Sequence, residues 1–275
     1  MKIFISTNCQ TYGLVNCMSV LCPDANVSGA PFVQLKNDKH PDDPDLVFTA
    51  PEFCEEIKER FPKADVHAIP FVFFDRYHPD LTYVKTGAKN VSTPCDTYHS
   101  LIAFGGFMKG LSESETLALY NDEVFSALGY FDGWAEAQNH FVSAFRHEEI
   151  EIGADFVRWS RSGPFMHSFN HPQIRCLFDI AKRALDKAEA RRVEVPNCIV
   201  HDNLMTASIV PVYPSIALSL ACEGSYVFKI HGSYKAMSLE KFVHDSFAAY
   251  AEHDKRTLRV NDSMKPIYEQ FSLIS

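Results

Sequence analysis

The stretch KIFISTNCQTYGLVNCMSVLC, residues 2–22, decides the fold class that we predict for this chain. Its first five residues are mostly apolar, as is typical of a strand that opens a parallel sheet. From Leu14 onward, apolar residues recur at helical spacing until a proline ends the helix. The turn between strand and helix carries Cys9 between the carboxamides of Asn8 and Gln10. This order predicts an α/β fold with the turn at the carboxyl edge of the sheet.

The same alternation continues along the first third of the chain. It predicts strands in APFVQL (30–35), DLVFTAP (45–51) and AIPFVFF (68–74), with a helix in EFCEEIKERF (52–61). Strand signals then fade, and helical patterns follow one another from residue 96 to about 160. We therefore predict one α/β domain over residues 1–275, in which helices flank a parallel sheet and a helical insertion occupies about 96–160.

Composition and missing motifs exclude several classes of function. The net charge of −9 argues against a nucleic-acid partner, and no apolar run is long enough to form a transmembrane segment. The eight cysteines include no Cys-x-x-Cys pair, and the start of the chain is too short for a signal peptide, so we predict reduced thiols in a cytoplasmic protein. Neither zinc-ligand spacing nor a nucleotide-binding glycine motif is present, so no metal is expected.

Cys9 is the first candidate for chemistry. The N-terminus of the following helix would place positive partial charge beside its sulfur, which favours the thiolate. Free N–H groups there, with the side chains of Asn8 and Gln10, could also stabilise a developing oxyanion. The alternative is that Cys9 is only a small buried residue at a strand end.

A second candidate is the loop FDRYHPDL, residues 74–81, which follows the strongest predicted strand. It brings Tyr77, His78 and Asp80 to the same predicted sheet edge, with His78 as a possible general base and the other two as substrate contacts. The alternative is a surface turn shaped by Pro79.

The third candidate is HSFNHP, residues 167–172. Pro172 suits the first position of a helix, which makes His171 the predicted helix cap and a candidate general base, with Asn170 as a substrate contact beside it. The alternative for His171 is a purely capping or core-edge role. A zinc pair with His167 is disfavoured because the proline breaks any shared helical face.

Positive charge is concentrated around this third motif. Residues 156–192 carry eight basic and three acidic side chains, in a chain that is acidic overall. A phosphate-bearing ligand would explain this, with Arg158, Arg161 and Arg175 closest to His171 in sequence. The alternative is an ordinary solvated helix face.

With these motifs in view, the sequence resembles the WcbI-type capsular polysaccharide biosynthesis proteins, which are regarded as acetyltransferases. The likeness rests on NCQ (8–10), IPFVFFDRYHPDL (69–81), TYHSLIAFGGFMKGLSESE (97–115) and FMHSFNHP (165–172), in the expected order over residues 1 to about 190. The last 80 or so residues carry no such motif.

The resemblance implies a fold like that of SGNH hydrolases, coenzyme A or acetyl-coenzyme A as acyl donor, and acetyl transfer to a sugar hydroxyl of a polysaccharide or its precursor. Cys9 then occupies the place of the serine, His171 or His78 acts as base, and Arg158, Arg161 and Arg175 hold the phosphates of the coenzyme. The Gly-Asp-Ser block of those hydrolases is absent, and Ser168 stands where an aspartate would precede His171. Whether Cys9 carries the acyl group stays open. The alternatives are a carbohydrate esterase with the same residues and a non-catalytic protein that binds a glycan or nucleotide sugar.

Overall fold

Strands and helices alternate at the start of the chain and again near its middle. The computed structural model describes residues 1–35 and 43–274. Its strands are β1 Lys2–Ser6, β2 Asn26–Gly29, β3 Leu46–Thr49, β4 Asp65–Ala68, β5 Leu81–Thr82, β6 Val84–Thr86, β7 Lys89–Asn90, β8 His99–Ser100, β9 Met166–Ser168, β10 His171–Pro172, β11 Val227–Lys229, β12 Ala236–Ser238 and β13 Leu258–Val260.

The helices are of moderate length, and the longest have 14 residues. They are α1 Thr11–Leu21, α2 Cys54–Arg60, α3 Leu101–Lys109, α4 Glu113–Ala118, α5 Asp122–Ala127, α6 Trp134–His147, α7 Gly153–Arg161, α8 Ile174–Lys187, α9 Pro214–Ser219, α10 Leu239–Ala251 and α11 Lys265–Ser272. No helix in the described part of the chain combines the length and the apolar character needed to cross a bilayer.

The first four strands form a parallel sheet in the order β2–β1–β3–β4. Ile3, Ile5, Val47 and Phe48 are fully buried in it, as expected for strands covered on both faces. Because the strands are parallel, their carboxyl ends share one edge, and the turn that contains Cys9 follows β1 there. The predicted fold class, a parallel sheet flanked by helices, is confirmed.

The chain divides into two compact units, each built from three separate segments. Unit 1 consists of Met1–Phe74, Ala135–Met166 and Asn170–Leu204, and unit 2 of Asp75–Trp134, His167–Phe169 and Met205–Ser275. Helices α3 to α7 fill the predicted helical region, with the first three in unit 2 and most of the rest in unit 1. That this region is an insertion, and that the chain is one domain, stay predictions.

Helices α1 and α8 of unit 1 approach each other closely at Gly13. A Cβ atom at this position would lie 2.5 Å from Cδ1 of Leu177, so a larger residue would force the Leu177 side chain to shift. Further along unit 1, the ring of Phe74 packs against Phe141, Phe156 and Phe165 with centroid separations of 5.2 to 6.0 Å. These contacts bury the end of the segment that follows β4.

Two predicted strands are wrong. AIPFVFF is irregular after β4 ends at Ala68, because Pro70 has no N–H to continue the ladder beyond the bond from Ile69 to Thr49. APFVQL forms a 3₁₀ turn over Phe32–Gln34 instead, and the strand lies just before it as β2. The predicted strand in DLVFTAP and the helix in EFCEEIKERF are confirmed. Ser112 and Glu115 form a capping box at the start of α4.

Candidate functional site

The turn after β1 is closed by short-range hydrogen bonds. The Asn8 side-chain oxygen accepts from the Gln10 N–H at 2.9 Å, and the Thr11 hydroxyl donates to the Asn8 carbonyl at 2.8 Å. The Thr11 N–H also donates to the Asn8 carbonyl, and the Thr11 hydroxyl accepts from the Thr7 N–H. Cys9 lies at the exposed apex of this rigid turn. Asn8 therefore shapes the turn, and the N–H groups of Gln10 and Thr11, predicted as oxyanion donors, are already engaged.

The electrostatic prediction for Cys9 is wrong in sign. Although the residue is exposed, the protein around its sulfur desolvates the thiolate and raises the pKa of the Cys9 thiol above its ordinary value. A hydrogen bond from its own backbone opposes this effect without cancelling it. Cys9 therefore rests as a neutral thiol near pH 7.

Gln10 is buried, and every polar atom of its carboxamide is engaged within unit 1. Its oxygen accepts from the Val72 N–H at 3.1 Å, and its nitrogen donates to the Val72 carbonyl at 2.8 Å and to the Asn170 carbonyl at 3.0 Å. The predicted role of Gln10 beside a reacting carbonyl is replaced by a mechanical one, because both of its N–H bonds are occupied. We call the bonds among Gln10, Val72 and Asn170 the Gln10 clamp.

The Gln10 clamp brings two sequence motifs together. Gln10 follows Cys9 directly, and Asn170 precedes His171 directly, although the motifs lie 160 positions apart. His171 is half-buried in β10, and helix α8 begins at Ile174 after an N-cap at Gln173. The prediction that His171 caps this helix is thus wrong. It lies near the Cys9 turn through the backbone of Asn170.

The N-terminus of α8 is capped by a residue that sequence reasoning missed. The Asp202 carboxylate accepts from the Ile174 N–H at 2.9 Å and from the Leu204 N–H at 3.1 Å. Because Asp202 lies 28 positions downstream, no local capping pattern could indicate it. The role of Val72 could not be predicted from sequence either, because it takes part in the site only through its backbone N–H and carbonyl groups.

In unit 2, the loop that contains His78 is deeply buried. Its Nε2 donates to the Val210 carbonyl at 2.9 Å, because a carbonyl oxygen can only accept, which leaves Nδ1 as the acceptor nitrogen. Within the described residues this buried Nδ1 has no hydrogen-bond partner. Burial lowers the pKa of His78 to about 4, so the imidazole is neutral and a weak base near pH 7.

Asp80 and Tyr77 are also buried in unit 2, each only 2% exposed. Asp80 accepts from the Ile102 N–H at 3.0 Å and from the hydroxyls of Tyr130 and Tyr213 at 2.9 and 2.8 Å. Burial raises the pKa of its carboxyl to about 6 in spite of these bonds. Tyr77 packs edge-on against Trp134. These partners favour an internal role over the predicted substrate contacts.

The three predicted phosphate-binding arginines differ in availability. Arg158 pairs with Asp155 at 2.7 Å and Asp179 at 2.8 Å. Arg175, in the first turn of α8, donates to the Gln173 side chain and to the carbonyls of Gly163 and Pro164.

Arg161 is exposed in the last turn of α7. Of the three arginines, Arg161 and Arg175 can reach a phosphate without giving up an ion pair described here, although Arg175 would give up three hydrogen bonds. Within residues 1–35 and 43–274, the His, Cys, Asp and Glu side chains form no group of three that could hold a metal ion.

Comparisons with known proteins identify the family of this chain. Residues 54–192, just over half of the chain, match the family described as polysaccharide biosynthesis enzyme WcbI. The matched span contains the motifs of His78 and His171, and the Cys9 turn lies before it. Among curated proteins, no sequence matches.

A solved structure of WcbI is similar over 98% of this chain and 94% of its own, with a TM-score of 0.66 and 15% identity. It is described as a novel polysaccharide biosynthesis enzyme, in its native form without a disulfide bond between coenzyme A and one of its cysteines. At this identity the likeness establishes the fold. Together with the family match, it confirms the resemblance that the motifs predicted: the chain belongs to the WcbI family of polysaccharide biosynthesis enzymes.

Proposed function

We propose that this protein transfers an acyl group, acetyl in the first instance, from coenzyme A to a sugar hydroxyl during synthesis of a capsular or other surface polysaccharide. The observation that carries the proposal is the Gln10 clamp, which joins the exposed Cys9 turn to the residue before His171. A thiol and an imidazole at the carboxyl edge of a parallel sheet suit acyl transfer, as in the SGNH-like arrangement. Family membership supplies the context of polysaccharide synthesis.

The choice of coenzyme A as ligand rests on the related WcbI structure, which is described with reference to coenzyme A and a cysteine. We assign the same ligand to this chain, with Cys9 facing the coenzyme sulfur because it is the exposed cysteine of the site. Arg161 and Arg175 are the arginines that we assign to its phosphates, whereas Arg158 would first have to leave its two carboxylates. The reaction would take place in the cytoplasm, where acyl-coenzyme A is available.

In the proposed reaction, His171 takes the proton of the sugar hydroxyl while the hydroxyl oxygen attacks the thioester carbonyl. The carbon–oxygen bond forms, and the carbon–sulfur bond of the tetrahedral intermediate breaks. The coenzyme leaves as a thiolate and takes the proton from the imidazolium, so the histidine returns to its starting state. His78 is the weaker candidate for this role, since burial lowers its pKa to about 4.

The first experiment is calorimetric titration with coenzyme A, its 3′-dephospho form and AMP. We expect micromolar binding of coenzyme A, weaker binding of the other two, and roughly tenfold weaker coenzyme binding by Arg161→Gln. Arg146→Gln is the control, because Arg146 is equally exposed and pairs with Glu151 on the surface of unit 1. If the protein does not bind coenzyme A at millimolar concentration but hydrolyses an aryl acetate, the proposed transferase function is contradicted and an esterase function is supported.

Variants of Cys9 distinguish a covalent acyl-cysteine from a pocket residue. If the sulfur accepts the acyl group, Cys9→Ala loses nearly all turnover, and mass spectrometry of the wild type with acetyl-coenzyme A shows an added acetyl group on Cys9. If Cys9 only contacts the coenzyme, Cys9→Ser keeps much of the turnover and no adduct appears. Because the pKa of the Cys9 thiol is raised, we expect the rate of Cys9 alkylation to keep rising with pH beyond the pH at which the rate for an ordinary cysteine levels off. A plateau below pH 8 would contradict this assignment.

A further inference from the structure

A pair of like charges lies across two strands of unit 2, of which β6 falls within the span that matches the family and β13 lies beyond it. Strands β13 and β6 are antiparallel, and Arg259 is the direct partner of Lys85 in their register. Their neighbours Val84, Leu258 and Val260 are buried, so the two cations share the exposed face. Like charges directly opposite each other destabilise a strand pair. An anion bound between them would remove this cost.

A cavity of about 260 Å³ lies beside these two cations. The side chain of Lys265 also lines it and pairs with Asp262 at 2.6 Å. Both lysines lower the pKa of the Asp262 carboxyl, which places Lys85 within electrostatic reach of the same space. Three cations thus surround the cavity against one carboxylate, in a chain whose net charge is −9.

A second cavity of about 200 Å³ shares Arg259, Val260 and Lys265 with the first. Its remaining walls are apolar or aromatic: Phe104, Met108, Leu258 and Tyr268. Arg259 and Tyr268 line this cavity together, and the guanidinium of Arg259 opposes the burial that raises the pKa of the Tyr268 phenol. Each cavity alone is smaller than the roughly 300–1,000 Å³ typical of a ligand site, and the two together reach that range.

We propose that these adjoining cavities bind a nucleoside diphosphate, with the phosphates on Lys85, Arg259 and Lys265 and the ring system against Met108 and Tyr268. Guanidinium and ammonium groups are the usual partners of phosphate oxygens, and an aromatic side chain is the usual partner of a base. Such a group occurs both in an activated sugar and in the adenosine part of coenzyme A. The inference does not rest on the proposed function, because it uses neither the Cys9 turn nor His171.

Calorimetric titration of the full chain with UDP, ADP, coenzyme A and inorganic pyrophosphate tests the proposal. We expect at least one nucleoside diphosphate to bind, and Arg259→Gln to weaken that binding roughly 10- to 100-fold. The matched control is Arg256→Gln, because Arg256 is 90% exposed in its side chain and pairs with Asp254 on the same surface. Absence of wild-type binding at millimolar ligand, or an equal loss in both variants, would overturn the proposal.

The ligands also separate the two sources. If an activated sugar is the ligand, UDP or ADP loses affinity in Arg259→Gln while coenzyme A binding is unchanged. If the coenzyme is the ligand, Arg259→Gln weakens coenzyme A and ADP together. Pyrophosphate binding that equals nucleotide binding, and that is unchanged in Tyr268→Leu, would contradict the assignment of the aromatic cavity.

Lys85→Glu provides a readout that a merely structural cation would not give. It replaces a like-charge strand pair by an opposite-charge pair, so we expect a higher midpoint of thermal unfolding together with lost nucleotide binding. UDP or ADP should raise the unfolding midpoint of the wild type, and this increase should be absent in Lys85→Glu. A lower midpoint would show that Lys85 stabilises the strand pair, and it would count against a ligand-binding role.

Discussion

Gln10 shows how one buried carboxamide can organise a site without touching a substrate. Its three hydrogen bonds connect the turn after β1, the irregular segment after β4 and the segment that leads to His171. Each of those partners is a backbone group, which must be satisfied when it is buried. The position of His171 relative to Cys9 therefore depends on a buried carboxamide whose hydrogen bonds all go to backbone groups.

Replacement of Gln10 by Ala removes the clamp and leaves backbone groups of Val72 and Asn170 without this partner. We expect a loss of about 1–3 kcal/mol in the free energy of unfolding, measured by urea denaturation. Gln34→Ala, at an exposed glutamine of unit 1, should be neutral.

A positioning role predicts more than lost stability. At a temperature where both proteins are folded, Gln10→Ala should lower kcat for acyl transfer more than it raises KM for the coenzyme. A variant with lowered stability and unchanged kcat would show that the Gln10 clamp is only structural.

What could be predicted at the scale of residues was position rather than chemistry. The order strand–turn–helix was enough to place Cys9 at the sheet edge, because that follows from local pattern alone. The bonds that occupy the N–H groups of Gln10 and Thr11 are local, because both are accepted by Asn8 within the turn. The raised pKa of the Cys9 thiol depends instead on protein that packs around the turn. Local sequence does not contain that information.

Helix α8 illustrates the scale of elements. The spacing of apolar residues predicts a face with Ile174, Leu177, Phe178, Ala181, Leu185 and Ala188. Leu177, Phe178, Ala181 and Leu185 are indeed buried, together with Cys176, Ile180 and Ala184. The start of α8 was not predicted correctly, because Pro172 suggested a helix two residues too early and the true cap comes from Asp202. The same limit explains AIPFVFF, where apolar content favoured a strand and Pro70 prevented it.

Loss of the Asp202 cap should weaken α8 measurably. We expect Asp202→Ala to lower the free energy of unfolding by about 0.5–2 kcal/mol, because the N–H groups of Ile174 and Leu204 lose their acceptor. Asp202→Asn, which keeps a side-chain carbonyl oxygen, should lose less. Equal unfolding midpoints in urea for the wild type and the alanine variant would contradict this account of the helix start.

At the scale of the whole molecule, buried titratable groups in unit 2 make stability depend on pH. Burial lowers the pKa of His78 and of His99 to about 4, below the ordinary 6.5. In the unfolded chain both take protons below pH 6.5, so the stability they contribute above that pH is lost as pH falls toward 4. Asp80 acts oppositely: its pKa rises from 3.8 to about 6, so its contribution is present below pH 3.8 and is lost as pH rises through 6.

Between pH 5 and 6 the two histidines outweigh the carboxyl. For these three groups the unfolded chain binds about one proton more, so we expect the free energy of unfolding to rise by roughly 1.4 kcal/mol per pH unit. Asp80→Asn removes the opposing group and should make this slope steeper. Urea unfolding at pH 5.0, 5.5 and 6.0 measures both slopes, and an equal slope for Asp80→Asn and the wild type would show that the carboxyl is ionised in the folded protein.

The division of unit 1 into three separate segments has a consequence for synthesis on the ribosome. Strand β1 and the Cys9 turn belong to the first segment of this unit to be made, yet Asp202, near the end of its last segment, follows Phe74 by roughly 130 residues. At about 5–20 residues per second, the first segment waits roughly 7–26 s before its unit can be completed. During that interval helix α1 lacks helix α8, against which it packs in the finished unit. The nascent chain therefore keeps an apolar face of unit 1 uncovered until α8 has been made.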